Sequence, residues 1–322
     1  MFDASVVICT YNRPRLLEMA VRSCLRDASR KALRFEIVIA DNSVDQHALS
    51  LVRTLAAEGH PIRSVPASPP NISIARNAGL HATDAPLVAF LDDDLEVESG
   101  WLDHFVETMA ATGADGAMGP VRPSFEGGAP YWDAEGRRFT RVLEQPSGSV
   151  IGIAARAPRH FVVSTASSIW RVSTCFTDAQ PFDPAYGASG GEDIDLFLRL
   201  EKRGCRFVWC ADAGVRETIQ PNRTRLLYQL LRTYSGAQVY AAVAMKHAAS
   251  PSSRALSLTG RGAAQAAIGL LRVVPAALLD VVSGKFDFSR TVRAGLQVAN
   301  GMGKLTWWNK VALYHVEKPH LP

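Results

Sequence analysis

Three consecutive aspartates, Asp92-Asp93-Asp94, follow the apolar run Leu87-Val-Ala-Phe-Leu91. Adjacent carboxylates repel one another unless a cation or water screens them. An oxygen-only donor set favours Mg²⁺ or Mn²⁺. A calcium loop wants Gly at its sixth position and Glu at its twelfth. Counted from Asp92 these positions hold Val97 and Asp103, which excludes that motif. A divalent ion here would bridge a diphosphate and neutralise it as a leaving group.

A second acidic segment is Gly190-Gly191-Glu192-Asp193-Ile194-Asp195. Acidic residues are common at helix starts because the helix dipole stabilises them. The functional alternative is a general base for an acceptor hydroxyl, with Asp193 kept ionised by a helix N-terminus. The glycines before it let a substrate approach closely. Gly187-Ala-Ser-Gly-Gly191 also fits the G-x-S-x-G hydrolase pattern. That motif needs a strand immediately before it and a later Asp, then His. Pro181-Phe-Asp-Pro-Ala-Tyr186 is no strand, and the downstream histidines, His247, His315 and His320, fall in a basic tail. A hydrolase is therefore not expected.

These residues need elements to carry them. Ser5-Val-Val-Ile-Cys9 is a short β-branched run, the mark of a strand buried on both faces. Pro14 suits the first turn of a helix, and Leu17, Val21, Cys24 and Ala28 share one helix face. Phe35–Ala40 reads as a second strand, 48–58 as a helix, 62–65 as a third strand and 73–82 as a helix capped by Asn71. Leu87–Leu91 is the fourth strand. This alternation predicts an α/β fold built on a doubly wound, mostly parallel sheet. Ligands in such sheets bind at the carboxyl ends of strands. Polar residues follow three strand ends: Thr10-Tyr-Asn-Arg13, Asp41-Asn-Ser43 and Asp92–Asp94. In the strand order 3-2-1-4 the first and third of these face each other across one crevice. One such cluster is ordinary strand capping; three are not. Asp41 can accept a hydrogen bond from the N3–H of uracil. Further strands are expected near Phe161–Val163 and at Phe207–Trp209, with a helix over 192–202.

The chain has 322 residues, with 47% hydrophobic and 20% charged. That is globular composition and excludes a disordered or fibrous chain. Five cysteines, an odd number without a C-x-x-C, argue against a disulfide framework or zinc knuckle and for buried thiols in a reducing compartment. The first residues have no basic stretch, so no signal peptide is expected. The longest apolar stretch, 268–282, is interrupted by Arg272 and Asp280 and is shorter than the ~18 residues of a membrane span. Net charge is +4. Residues 1–220 hold 22 Lys and Arg against 28 Asp and Glu, a balance of −6, whereas 221–322 hold 13 against 3, a balance of +10. An acidic body with a basic appendage is expected, the appendage facing something anionic.

Five segments together carry a resemblance: Ser5-Val-Val-Ile-Cys-Thr-Tyr-Asn-Arg-Pro14, Asp41-Asn-Ser43, Asn71-Ile-Ser-Ile-Ala-Arg-Asn-Ala-Gly79, Phe90-Leu-Asp-Asp-Asp94 and Gly191-Glu-Asp-Ile-Asp195. Their order and spacing resemble family 2 glycosyltransferases of the GT-A fold over about residues 4–220. The resemblance implies inverting, metal-dependent transfer from a nucleotide-diphospho-sugar, with UDP favoured. It implies that Thr10, Asn12, Arg13 and Asp41 hold base and ribose, and that Arg76 contacts the nucleotide. Asp92 and Asp94, with Asp93 between them, would hold ribose and metal. Asp193, with Glu192 beside it, would supply the base. Many relatives carry a metal-binding histidine after the last sheet strand; here Val215-Arg-Glu217 stands in that region, and Glu217 is the substitute candidate.

Trp101 and Trp170 are candidates for stacking on an acceptor sugar, with core burial the plainer alternative. Beyond residue 220 the texture is helical. Leu226, Leu227, Leu230, Leu231 and Tyr234 form a stripe opposite Arg223, Arg225 and Arg232, and Ser250–Ser253 reads as a linker. Trp307, Trp308 and Tyr314 lie among Lys304, Lys310 and Lys318, a composition suited to lipid headgroups. Two readings of this extension stand: attachment to an anionic leaflet near a lipid-linked acceptor, or a helical subdomain with a solvated basic face. No nucleic-acid module is recognised.

The expectation is a catalytic domain over 1–220 and a basic, mainly helical extension over 221–322. The chain would act in the cytoplasm, at the inner face of the cytoplasmic membrane if the extension binds it. The activity would be hexosyl transfer to a glycan or lipid-linked acceptor in surface polysaccharide synthesis. The alternative is a catalytically silent nucleotide-binding partner in a membrane assembly, against which the filled metal and base positions speak.

Overall fold

The structure is a computed structural model, and it describes residues 2–27, 33–153, 163–284, 288–309 and 311. In chain order the elements are β1 (Ala4–Thr10), α1 (Pro14–Arg26), β2 (Phe35–Asp41), α2 (Leu49–Ala57), β3 (Ile62–Pro66), α3 (Ile72–His81), β4 (Leu87–Asp92), β5 (Leu95–Val97), α4 (Trp101–Thr112), β6 (Gly116–Met118) and β7 (Val121–Phe125). There follow β8 (Val150–Ile151), β9 (Ser167–Arg171), α5 (Val172–Cys175), α6 (Glu192–Lys202), β10 (Phe207–Trp209), β11 (Val215–Ile219), α7 (Leu226–Lys246), α8 (Pro251–Val282) and α9 (Ser289–Leu305).

Eight strands form one sheet in the order β3-β2-β1-β4-β9-β6-β10-β8. The first four run parallel, as the strand–helix alternation requires. β9 runs antiparallel between β4 and β6, and β10 pairs parallel with β6. Three shorter strands make a second sheet, β5-β11-β7. The first half therefore matches the expected α/β class, and the C-terminal part is helical.

The period of two along each strand divides the interior into two cores. Val6 and Ile8 of β1, Ile37 and Ile39 of β2, and Ala89 and Leu91 of β4 point to one face, where Leu17, Val21 and Cys24 of α1 meet them. Val7, Val38, Ala40, Val88 and Phe90 point to the other, against Ala75 and Leu80 of α3 and Leu196, Phe197 and Leu200 of α6. Every residue of β1 is buried, which is why it lacks polar alternation. All five cysteines are free. Burial pushes the Cys9, Cys24 and Cys175 thiols up to about 12, so they act as small apolar side chains.

Two compact units divide the chain. The first comprises Met1–Ser124, Phe139–Gly187 and Glu192–Thr218; the second comprises Phe125–Arg138, Ala188–Gly191 and Ile219–Pro322. Within the second, α8 and α9 approach until their backbones touch. A Cβ on Gly301 would meet the backbone of Ala266 and Gly262, and one on Gly269 would meet Val298 N at 2.9 Å. Small residues are what allow such an approach.

Several expectations are corrected. Ser250–Ser253 is not a linker: Pro251 opens α8 at its first turn, where a missing N–H is harmless. The apolar stretch 268–282 is the end of a 32-residue helix rather than a short isolated segment. The leucine stripe of α7 is only partly its packed face: Leu230 is half-buried close to Gly295, and Tyr234 Oη lies 2.6 Å from Thr306 Oγ1. Leu227 and Leu231 are exposed, while Gln229 and Gln238 are buried. Gln238 manages this by donating to the carbonyls of Thr306 (3.0 Å) and Asn309 (2.6 Å). Ala28, most of the strand expected near Phe161–Val163, Lys310, Tyr314, His315, Lys318 and His320 lie outside the described residues.

Candidate active site

The site grows from three sheet ends in the first unit. β1 ends at Thr10, in register with Asp41 of β2, and Cys9 pairs with Asp92 of β4. Asn12 then adopts a left-handed backbone (φ 53°), a conformation Asn tolerates better than most residues. Pro14 starts α1 immediately after, so Arg13 stands at the helix entrance. Its guanidinium reaches Asp93 Oδ1 at 3.1 Å and Asp94 Oδ2 at 3.4 Å. Thr10 Oγ1 donates to Asp93 Oδ2 at 2.8 Å. The expected crevice between the first and fourth strands is thus closed by real contacts at its floor. Burial pushes the Asp93 carboxyl up to about 6, against the pull of Arg13.

The three aspartates are not equivalent. Asp93 and Asp94 are buried, whereas the Asp92 side chain stays 41% exposed. It meets the Arg76 guanidinium at a long 3.6 Å. Its carboxyl is raised, first by desolvation and then by Asp94 and Glu217, with Arg76 and Arg141 opposing. Glu217, on β11, is buried and accepts from Arg141 at 3.2 Å. Asp94 and Glu217 each disfavour the charge of Asp92, and carboxylate oxygens are the donors a hard divalent cation takes. Among the described residues no three His, Cys, Asp or Glu side chains converge into a ready cage.

Arg76 links this floor to the second acidic segment. It is buried on α3, pairs with Asp92 and donates to Glu192 Oε1 at the start of α6. Its guanidinium lies 5.6 Å from the Phe182 ring centre. Burial works against its charge, but Glu192, Asp92 and Asp193 outweigh it and hold the guanidinium above its ordinary value. Glu192 Oε2 is buried without a hydrogen-bond partner among the described residues. Asp193 is next along the helix. Desolvation, reinforced by Glu192, pushes its carboxyl up to about 7, within the range where a general base works at neutral pH.

The path into α6 is fixed by polar residues of α3. Asn71 caps its own helix through Ser73 N (3.0 Å) and Ile74 N (3.2 Å) and also donates to Pro184 O at 3.0 Å. Ser73 Oγ donates to Asp183 O at 2.9 Å. Asn77 both donates to Phe182 O (2.8 Å) and accepts from Phe182 N (3.0 Å). The segment before the G-x-S-x-G pattern is a short 3₁₀ turn, Pro184–Tyr186, not a strand, in keeping with the rejection of a hydrolase.

Other expected site residues go elsewhere. Asp41 is buried with its carboxylate turned into its own loop, accepting from Ser43 N (3.0 Å), Ser43 Oγ and Ala48 N (2.8 Å). Trp101 and Trp170 are fully buried and present no face to a sugar, which corrects their assignment to the acceptor site. Trp101 donates to Ser167 Oγ and packs edge-on to Phe105; Trp170 packs among Phe176, Phe197 and Phe207. Sequence reasoning missed Arg141 and Asn77. Arg141 sits outside any recognisable motif, at an isolated bridge to Val121. Asn77 was visible as the residue beside Arg76, but its partner lies 105 residues away.

The fold is that of GT-A glycosyltransferases. Residues 1–349 of S. aureus TarS in complex with UDP superpose with a TM-score of 0.55 at 14% identity, over 90% of each chain. The same fragment in complex with UDP-GlcNAc gives 0.52 at 14% identity, again over 90% of each chain. In sequence, the chain is 30% identical to the succinoglycan biosynthesis protein ExoM of Rhizobium meliloti (strain 1021) over 234 residues, 72% of each protein. It is 24% identical to the glycosyltransferase AglE of Haloferax volcanii over 125 residues, 38% of this chain and 41% of that one. Residues 5–168 match the profile of glycosyl transferase family 2. The chain belongs to that family and is a glycosyltransferase.

Proposed function

We propose that this glycosyltransferase moves a sugar, with inversion, from a UDP-sugar to a hydroxyl of a glycan or lipid-linked acceptor in exopolysaccharide synthesis. The observation that carries the reading is Arg76, a buried guanidinium that pairs with Glu192 at the start of α6 and reaches the half-exposed Asp92 at the end of β4 at 3.6 Å. This contact supports reading the donor and base segments, a hundred residues apart in sequence, as parts of one site. UDP in the TarS complex and the succinoglycan pathway of ExoM support the donor and product classes.

In this reading Thr10, Asn12 and Arg13, with Asp92 and Asp93, hold base and ribose, and Asp41 shapes the loop after β2 through Ser43 and Ala48. Asp193 accepts the acceptor's hydroxyl proton as that oxygen attacks the anomeric carbon. The bond from the anomeric carbon to the diphosphate breaks, and the nucleoside diphosphate leaves on the opposite face. Asp92 and Asp94, with Glu217, would hold Mg²⁺ or Mn²⁺. When bound, such an ion supplies charge neutralisation for the departing diphosphate. Arg76, paired with Asp92 at 3.6 Å, would add a fixed positive charge at the same strand end.

The test pairs calorimetric UDP binding, with and without Mn²⁺, with a transfer assay on wild type and Asp193→Asn. Asp193→Asn is expected to bind UDP normally and to lose transfer by about 10²–10⁴-fold, the worth of a general base. Retained transfer refutes the base assignment. UDP binding by the wild type without turnover of any nucleotide-sugar would favour a silent nucleotide-binding partner. Binding that ignores Mn²⁺ removes the metal from the reading.

A further inference from the structure

By length and composition α8 is long enough to cross a membrane, yet only 22% of its most apolar 18-residue window is buried. Its packed edge is narrow: Leu258, Gly262, Ala266, Gly269, Ala276 and Asp280. The opposite side is open and apolar. Ile268, Leu270, Leu271, Val274, Leu278 and Val282 are exposed, from 41% at Ile268 to 84% at Val282. At 100° per residue Leu271, Leu278 and Val282 fall within about 40° of one another, at the centre of this face.

The charges of α8 are arranged around that face. Arg254, Arg261 and Arg272 are exposed and spaced by 7 and 11 residues, intervals that return to one side of a helix. They form a row along one border of the apolar face. The one acidic residue of α8, Asp280, is buried and bonded to Thr291 N (3.0 Å), Thr291 Oγ1 (2.8 Å) and Arg290 (3.2 Å). α9 has no acidic residue and carries Arg290, Arg293 and Lys304.

We propose that this face of α8 binds the surface of an anionic phospholipid bilayer, with the helix lying in the headgroup region rather than spanning. Charge complementarity selects the lipid: the arginine border meets the phosphates while the leucines enter the acyl boundary. Spanning is opposed by α9, which touches α8 along its middle. There Lys304 is bonded to Gln265 and Asn300, both at 2.7 Å, and Arg272 to Gln297 at 3.4 Å. A spanning α8 would carry these groups into hydrocarbon, where they are costly. The proposal depends on α8 and α9 alone and stands or falls independently of the transfer chemistry.

The test is flotation of the full chain with phosphatidylcholine vesicles, with and without phosphatidylglycerol, at low and high salt. Binding to the anionic vesicles, weakened by salt and released by alkaline carbonate, is expected. Arg254→Gln/Arg261→Gln/Arg272→Gln should lower affinity on the order of a hundredfold. Leu271→Asp/Leu278→Asp should abolish binding with unchanged circular dichroism, since both sites are exposed. No flotation of the wild type at low salt overturns the proposal. So does flotation that either variant leaves unchanged, or protein that resists carbonate as a spanning helix would. A wild type that dimerises in sedimentation without binding vesicles overturns it in favour of a second copy.

Discussion

Asp193 and Arg76 are the two residues whose surroundings most constrain the chemistry. A base must be unprotonated to act, and the Asp193 carboxyl sits at about 7 because desolvation and Glu192 both disfavour its charge. Transfer should therefore rise with pH through neutrality and level off above it. Glu192→Gln removes one of the two causes and should move the midpoint toward acid. A rate profile flat across neutrality would sink the assignment. The folded state holds this proton from the ordinary carboxylate range up to about 7, so the group makes stability fall as pH rises through that window. Asp193→Asn should flatten that part of the stability profile. Arg76 works in the opposite sense, as the cation that makes Glu192 tolerable in the interior. Arg76→Met leaves a buried carboxylate uncompensated, a loss of about 3–5 kcal/mol. Adding Glu192→Gln should restore part of it in urea unfolding. Absence of rescue would mean that the pair is not what Arg76 stabilises.

The elements show which parts of this arrangement the sequence carries. The strands β1, β2 and β4 and the helices α1 and α3 announce themselves because each is a local pattern: a continuous β-branched run, a 3.6-residue stripe, an Asn cap. The order β3-β2-β1-β4 and the meeting of Thr10 and Arg13 with the aspartates follow from them. The insertion of β9 between β4 and β6 has no local signature, because it depends on partners some 50 to 80 residues away. The burial of Trp170 belongs to the same gap, since it sits on β9 and faces a core that α6 completes. In α7 hydrophobicity points to the leucines, yet Leu227 and Leu231 are exposed while Gln229 and Gln238 are buried and bonded to backbone carbonyls. Asn77 is the clearest case of a role hidden in a motif. Its amide closes both backbone groups of Phe182, and so fixes the approach to α6. Asn77→Ala leaves a buried N–H and carbonyl unpaired, at about 1–3 kcal/mol of stability. It should lower the transfer rate while UDP affinity, measured calorimetrically, stays within error. An equal loss in both would place Asn77 on the donor side instead.

Across the whole chain, chemistry and charge are divided between the two units. Thr10, Arg13, Asp41, Arg76, the three aspartates, Glu192, Asp193 and Glu217 all belong to the first. The second is helical, and residues 221–322 hold the positive balance. A ligand stabilises the cooperative unit that binds it by RT ln(1 + [L]/Kd), about 2.7 kcal/mol at a hundredfold excess over Kd. Units that open separately do not share that gain. With UDP at such an excess, amides of α1, α3 and β4 that exchange through opening of their unit should slow by about a hundredfold. Amides of α8 and α9 should keep their rates. Hydrogen exchange read by mass spectrometry measures both at once. Equal slowing in α8 and α9 would show that the chain opens as a single cooperative unit rather than as two. No slowing anywhere would remove the nucleotide from the first unit, and with it the donor half of the proposed reaction.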